Sequence, residues 1–170
     1  ALREDFLANA VADFQKIQQI QIIACGTSYH AGMIAKYWFE QLIDLPCQVE
    51  IASEFRYRSP VIVNHTLYVC ISQSGETADT LAALRDTQKR AAAKGTDITT
   101  MTICNVATSS MVRETNHSLL TLAGPEIGVA STKAFTAQVT VLTLIAFYLA
   151  QEKGAISKSK LATLLTELDS

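Results

Sequence analysis

Residues 67–80 read Leu-Tyr-Val-Cys-Ile-Ser-Gln-Ser-Gly-Glu-Thr-Ala-Asp-Thr. The first five form a short apolar, β-branched and aromatic run, the pattern of a buried strand. From Thr77 onward, Leu81, Leu84, Gln88 and Ala91 recur at helical spacing. Between strand and helix lies a turn that carries the hydroxyls of Ser72, Ser74 and Thr77. A helix that starts abruptly after a strand leaves its first backbone N–H groups unpaired. With the positive end of the helix dipole, those donors make an anion site. Gly75 lets a ligand approach the backbone closely, and hydroxyls donate to phosphate oxygens without adding charge. Ser74 by itself reads most simply as an N-cap, but three hydroxyls plus Gln73 exceed what a cap requires. The turn holds no lysine, so it is not a Walker A loop. The ligand it predicts is a phosphate monoester, bound without a metal or other cofactor.

The same arrangement occurs earlier in the chain. Residues 20–24 read as a strand, and Cys25-Gly26-Thr27-Ser28 turns from it into a helix running from about Tyr29 to Leu45, where Pro46 helps to stop it. Residues 47–52 alternate as a second strand, and 53–57 as a short helix. The helix after the third strand runs to about Ala93, with Gly95 as its terminator. Residues 98–104 are a fourth strand, followed by a loop and a short helix near Met111; 118–122 are a fifth. A loop at 124–130 leads to a long helix from Ser131 to about Glu152, and 157–168 form a last amphipathic helix. An amphipathic helix at 2–17 precedes everything.

Strands alternating with helices predict an α/β fold, a three-layer doubly wound sheet of five parallel strands. In the flavodoxin-like order 2-1-3-4-5, strands one and three are neighbours and their following helices lie on opposite faces. A crevice then opens beyond their carboxyl ends, where such sheets bind ligands. Thr27, Ser28, Ser72, Gln73, Ser74 and Thr77 converge on it.

At 170 residues, 49% hydrophobic and 18% charged, the chain suits one globular domain. A net charge of −2 gives no reason to expect a nucleic-acid partner. Arg85, Lys89, Arg90 and Lys94 share one helix and read as a solvated face. The four cysteines, at 25, 47, 70 and 104, form no C-x-x-C pair and read as buried, reduced thiols of a cytoplasmic protein. His30, His65 and His117 lack ligand spacing, so no metal is assigned. The apolar stretch 139–150 is too short to span a bilayer and reads as a buried helix, apolar nearly all round. The absence of a signal peptide and of an initiating methionine points to a fragment or processed chain without a membrane partner.

Four blocks together carry a resemblance. They are Ala-Cys-Gly-Thr-Ser-Tyr (24–29), Ile-Ala-Ser-Glu-Phe-Arg-Tyr-Arg (51–58), Ser-Gln-Ser-Gly-Glu-Thr-Ala-Asp-Thr (72–80) and Glu-Ile-Gly-Val-Ala-Ser-Thr-Lys-Ala-Phe-Thr (126–136). Over about 20–149 they resemble the sugar isomerase (SIS) fold and, more narrowly, the first isomerase half of the glutamine–fructose-6-phosphate aminotransferase family. The Ser-x-Ser-Gly-Glu-Thr element marks the superfamily broadly, whereas the four blocks in this order are more specific. The resemblance implies a phosphosugar-binding domain at 19–152, between an amino-terminal helix or linker (1–18) and a carboxyl-terminal helix (153–170) leading toward a second SIS half.

It also implies that Ser72, Gln73, Ser74 and Thr77 hold the phosphate of fructose 6-phosphate or glucosamine 6-phosphate. Cys25, Gly26, Thr27 and Ser28 then line the sugar side, and Val129, Ala130 and Ser131 approach the sugar. The implied partners are the second SIS half, a glutaminase domain and a second copy in a homodimer. The family's proton-transfer groups lie in the second half, so no catalytic residue is assigned, and the chain alone is expected to bind without catalysing. Glu76 and Glu126 are tempting bases, but Glu76 suits a helix first turn and Glu126 a loop brace; Lys133 either adds to the phosphate field or, the simpler reading, makes a salt bridge. Two alternatives stay open: a sugar-phosphate sensor module of a transcriptional regulator, and a single-SIS isomerase.

Overall fold

The computed structural model describes residues 10–125 and 132–168. The strand runs fold as β1 (Gln19–Ala24), β2 (Cys47–Ile51), β3 (Thr66–Ile71), β4 (Ile98–Cys104) and β5 (His117–Leu120). They form one sheet in the order β2-β1-β3-β4-β5, that of the flavodoxin-like fold, with every pairing parallel as the alternation of elements predicts. All six residues of β3 are buried, as a central strand covered on both faces must be. Side chains along each strand point alternately to two cores. Ile20, Ile22, Leu67, Val69, Met101 and Ile103 face one core, and Ile23, Tyr68 and Cys70 face the other.

The first core is closed by α1 (Val11–Lys16), α2 (Gly26–Ile43) and α6 (Lys133–Glu152). The second is closed by α3 (Ala52–Tyr57), α4 (Ala78–Lys94) and Met111 of α5 (Ser110–Glu114). The last helix, α7 (Lys158–Leu168), packs against α6. α2 and α4, which follow neighbouring strands, therefore cover opposite faces of the sheet. Register does the rest. Ala24 sits beside Ile71, so the turns that follow β1 and β3 leave the sheet side by side.

Several boundaries differ from the sequence reading. α2 starts at Gly26 rather than Tyr29, because Gly26 takes φ +56° and turns the chain in one residue. It stops at Ile43, where Asp44 adopts φ +56° as a left-handed cap; residue 45, which precedes Pro46, is biased away from helix. β5 ends before Leu122, whose φ of +50° is incompatible with a strand. Of the predicted first helix, residues 1–9 lie outside the described residues.

Among the described residues α6 alone is long and apolar enough to cross a membrane, but half of its most apolar window is buried in the domain. Val141, Leu142, Leu144, Ile145 and Leu149 are all buried, and α6 contacts α1, α2, α7 and β4. Part of its apolar girth is thus used within the chain.

Candidate functional site

At the carboxyl ends of β1 and β3 lies an open cleft of about 350 Å³, lined by Cys25, Gly26, Thr27, Ser28, Ile71, Ser72, Gln73, Ser74 and Thr77. Eight of the eleven residues singled out in the sequence meet here, and Ile71 is the one addition. The other three, Val129, Ala130 and Ser131, lie outside the described residues, as does Glu126. Among the described residues, none that lines the cleft carries a formal charge.

What the cleft offers is donors. The N-cap residues of α2 and α4, Cys25 and Thr77, make no side-chain capping bond. The first-turn N–H groups of an α-helix have no intrahelical partner. Two helices of 18 and 17 residues therefore bring uncapped, positively polarised ends to one place.

Inside the β3–α4 turn the hydroxyls divide their work. Ser72 Oγ accepts the Gly75 N–H at 3.0 Å and lies 2.8 Å from Thr77 Oγ1. Each hydroxyl has one hydrogen, and only one of the two is used in the bond between them. One hydrogen of the pair is therefore left over, and Thr77, half-buried where Ser72 is buried, is the member placed to give it to a ligand. Ser74 is not the N-cap of α4; that place belongs to Thr77. Ser74 Oγ instead accepts the Glu76 N–H at 3.1 Å, which leaves its own hydrogen free to donate.

The turn is braced from behind by the β4–α5 connection. Ser72 N–H donates to Ile103 O, Asn105 N–H to Gln73 O, and Met111 N–H to Gly75 O. Gly75 has φ +67°, and a Cβ there would run into the side chain of Ser109. Glycine is thus required at this position for Ser109 to pack, a constraint added to the close ligand approach that the sequence predicts. Glu76 differs as well. Its Oε1 accepts the Ser110 N–H at 2.6 Å, at the start of α5 rather than in the first turn of α4. That hydrogen bond holds the Glu76 carboxyl below the usual glutamate value, so the carboxylate acts as a brace between elements.

Other predicted roles sort themselves by geometry. Lys133 Nζ donates to Pro125 O at 2.5 Å. Arg85 forms a two-pronged pair with Glu114 at 2.8 and 2.6 Å, and Arg90 pairs with Asp86 at 2.5 Å, so two of the four cations on α4 are held rather than simply solvated. The four cysteines are free thiols. Burial pushes the Cys47 and Cys70 thiols up to about 12, whereas Cys25 is half-buried in the cleft wall.

A second cavity, of about 260 Å³, lies near the amino ends of β1–β3 and is lined by Gln19, Gln21, Arg58 and Tyr68 among others. The cation among its described lining residues, Arg58, is bound by both carboxylate oxygens of Glu50 at 2.6 and 2.5 Å. An anion there would compete with an ion pair already made, so the uncharged carboxyl-end cleft is the better anion site.

A doubly wound parallel sheet with a cleft at its switch point is the ligand-binding α/β class, and the SIS domain model matches residues 13–148; the chain belongs to that family. Within it, the chain is 74% identical over 168 residues to the glutamine–fructose-6-phosphate aminotransferase (isomerizing) of Acinetobacter baylyi, covering 99% of this chain and 28% of that protein. The Pseudomonas aeruginosa enzyme of the same name is 53% identical over 98% of this chain and 26% of its own length. Among solved structures, the C-terminal domain of glucosamine-fructose-6-phosphate aminotransferase from Francisella tularensis superposes with a TM-score of 0.88 at 49% identity. That match covers 96% of this chain and 45% of that one. The chain thus spans under a third of the enzymes it matches, and corresponds to their SIS region.

Proposed function

We propose that this chain is the phosphosugar-binding half of the isomerase region of a glutamine–fructose-6-phosphate aminotransferase, the enzyme that makes glucosamine 6-phosphate from fructose 6-phosphate and glutamine. The observation that carries the reading is the cleft itself: two uncapped helix amino ends and the free hydroxyl hydrogens of Ser74 and the Ser72–Thr77 pair, around a space that no carboxylate of the described residues lines. Such a site suits a phosphate dianion. In this reading Ser72, Gln73, Ser74 and Thr77 take the phosphate, and Cys25, Gly26, Thr27 and Ser28 face the sugar. Val129, Ala130 and Ser131 complete the sugar side. The kinship to the aminotransferases favours this over a regulator's sensor module or a single-domain isomerase.

The chain supplies binding and orientation. Proton transfer and ammonia release fall to a second SIS half and a glutaminase domain, in a cytoplasmic homodimer. Calorimetric titration tests the binding role. Fructose 6-phosphate should bind, and fructose at the same concentrations should not. Equal binding of both sugars, or of neither, would remove the proposal.

A further inference from the structure

We propose that Asn105 is a positioning residue of the phosphate site, locking the Gln73–Ser74 peptide to a strained bend at residues 121–124. The inference rests on the phosphate reading of the β3–α4 turn. Asn105 itself lines no part of the cleft. Its backbone N–H donates to Gln73 O at 3.0 Å. A trans peptide is planar, with C=O and N–H on opposite edges. Holding the Gln73 carbonyl therefore fixes the Ser74 N–H on the edge facing away from Asn105.

The side chain of Asn105 is committed in the other direction. Its Oδ1 accepts the Ala123 N–H at 2.8 Å and the Thr121 hydroxyl at 3.1 Å, and its Nδ2 donates to Gly124 O at 2.7 Å. These three bonds straddle Leu122, a non-glycine residue at φ +50° and 81% exposed. A left-handed leucine is unfavourable, and so exposed a side chain gains little packing in return. Among the described residues, the carboxamide of Asn105 and the bond from Thr121 N–H to Cys104 O hold the bend. Strain persists only where its surroundings over-determine it, and here they do so from the residue that also holds the phosphate turn. An aspartate would lack the Nδ2 donor, and a serine the reach.

Amide NMR of the chain, titrated with inorganic phosphate and then with fructose 6-phosphate, tests this. In the wild type, phosphate should shift the Ser74 amide. In Asn105→Ala, the Ser74 amide should already be displaced without ligand. Affinity for both ligands should fall roughly tenfold, the scale of one to two net hydrogen bonds, while the protein stays folded at the assay temperature. Asn105→Ser, a milder change, should give the same displacement, and it carries the test if the alanine variant does not fold. A purely structural role would lower thermal stability and leave both the ligand-free Ser74 shift and the affinities at wild-type values; that result would overturn the inference. The absence of any phosphate-induced shift in the wild type would instead overturn the phosphate reading, and this inference with it.

Discussion

Thr77→Val removes one hydroxyl and keeps the shape of the side chain, so it isolates ligand contact from packing. Thr77 makes no capping bond to α4, and among the described residues its hydroxyl bonds to Ser72 Oγ. Ser72 keeps the Gly75 N–H in the variant, so the turn loses a single neutral hydrogen bond, about 0.5–1.5 kcal/mol of stability. A hydrogen bond to a charged group contributes about 1.5–3 kcal/mol, so losing the pair's donation to phosphate should weaken fructose 6-phosphate binding roughly 10- to 150-fold. The remaining Ser72 hydrogen is a poor substitute, because Ser72 is only 2% exposed. Ser72→Ala gives the contrasting pattern. It strands the N–H of buried Gly75, at about 1–3 kcal/mol of stability, and also loses the pair. Calorimetry for affinity and urea unfolding for stability separate the two. A folded Thr77→Val protein that binds as tightly as the wild type would refute this account of the turn.

Gly75→Ala should destabilise the chain and abolish binding together, since it needs both a left-handed alanine and the space of Ser109; thermal melts and titration would show it, and a variant with normal Tm would contradict the packing argument. Glu76 and Glu114 are held below the ordinary value of 4.5, by the Ser110 hydrogen bonds and by Arg85 respectively. Because their folded values are depressed, their contribution is complete above 4.5 and lost as pH falls from there through the folded values; Glu76→Gln should make the Tm decline below 4.5 shallower. Cys25 should be the first thiol to react with a maleimide in the native chain, and fructose 6-phosphate should slow it. Cys47 and Cys70, pushed up to about 12 by burial, should react only on unfolding.

Local patterns carried the architecture. The apolar run at 67–71 and the helical spacing after Thr77 are properties of consecutive residues, and the strand–turn–helix alternation then restricts the topology. The convergence of Cys25–Ser28 with Ser72–Thr77 followed from topology alone, because parallel register aligns Ala24 with Ile71. The supporting residues were not legible in the same way. Glu76 meets Ser110, and Asn105 meets Gln73 and the 121–124 bend, through contacts between loops distant in sequence and without period. Gly75 shows the limit clearly: its place in the strand–helix turn was readable, but neither its positive φ nor its neighbour Ser109 was. The apolar girth of α6 was visible, but not that α1, α2 and α7 cover part of it.

The central claim is that a sugar phosphate binds at the amino end of α4, and a crystal structure of the chain with fructose 6-phosphate tests it most directly. The account predicts the phosphate in the carboxyl-end cleft, bonded to the Ser74 hydroxyl, the Ser72–Thr77 pair and the N–H groups at the start of α4. A phosphate found instead beside Arg58 and Tyr68 in the cavity near the amino ends of the strands, with the carboxyl-end cleft empty, would contradict it.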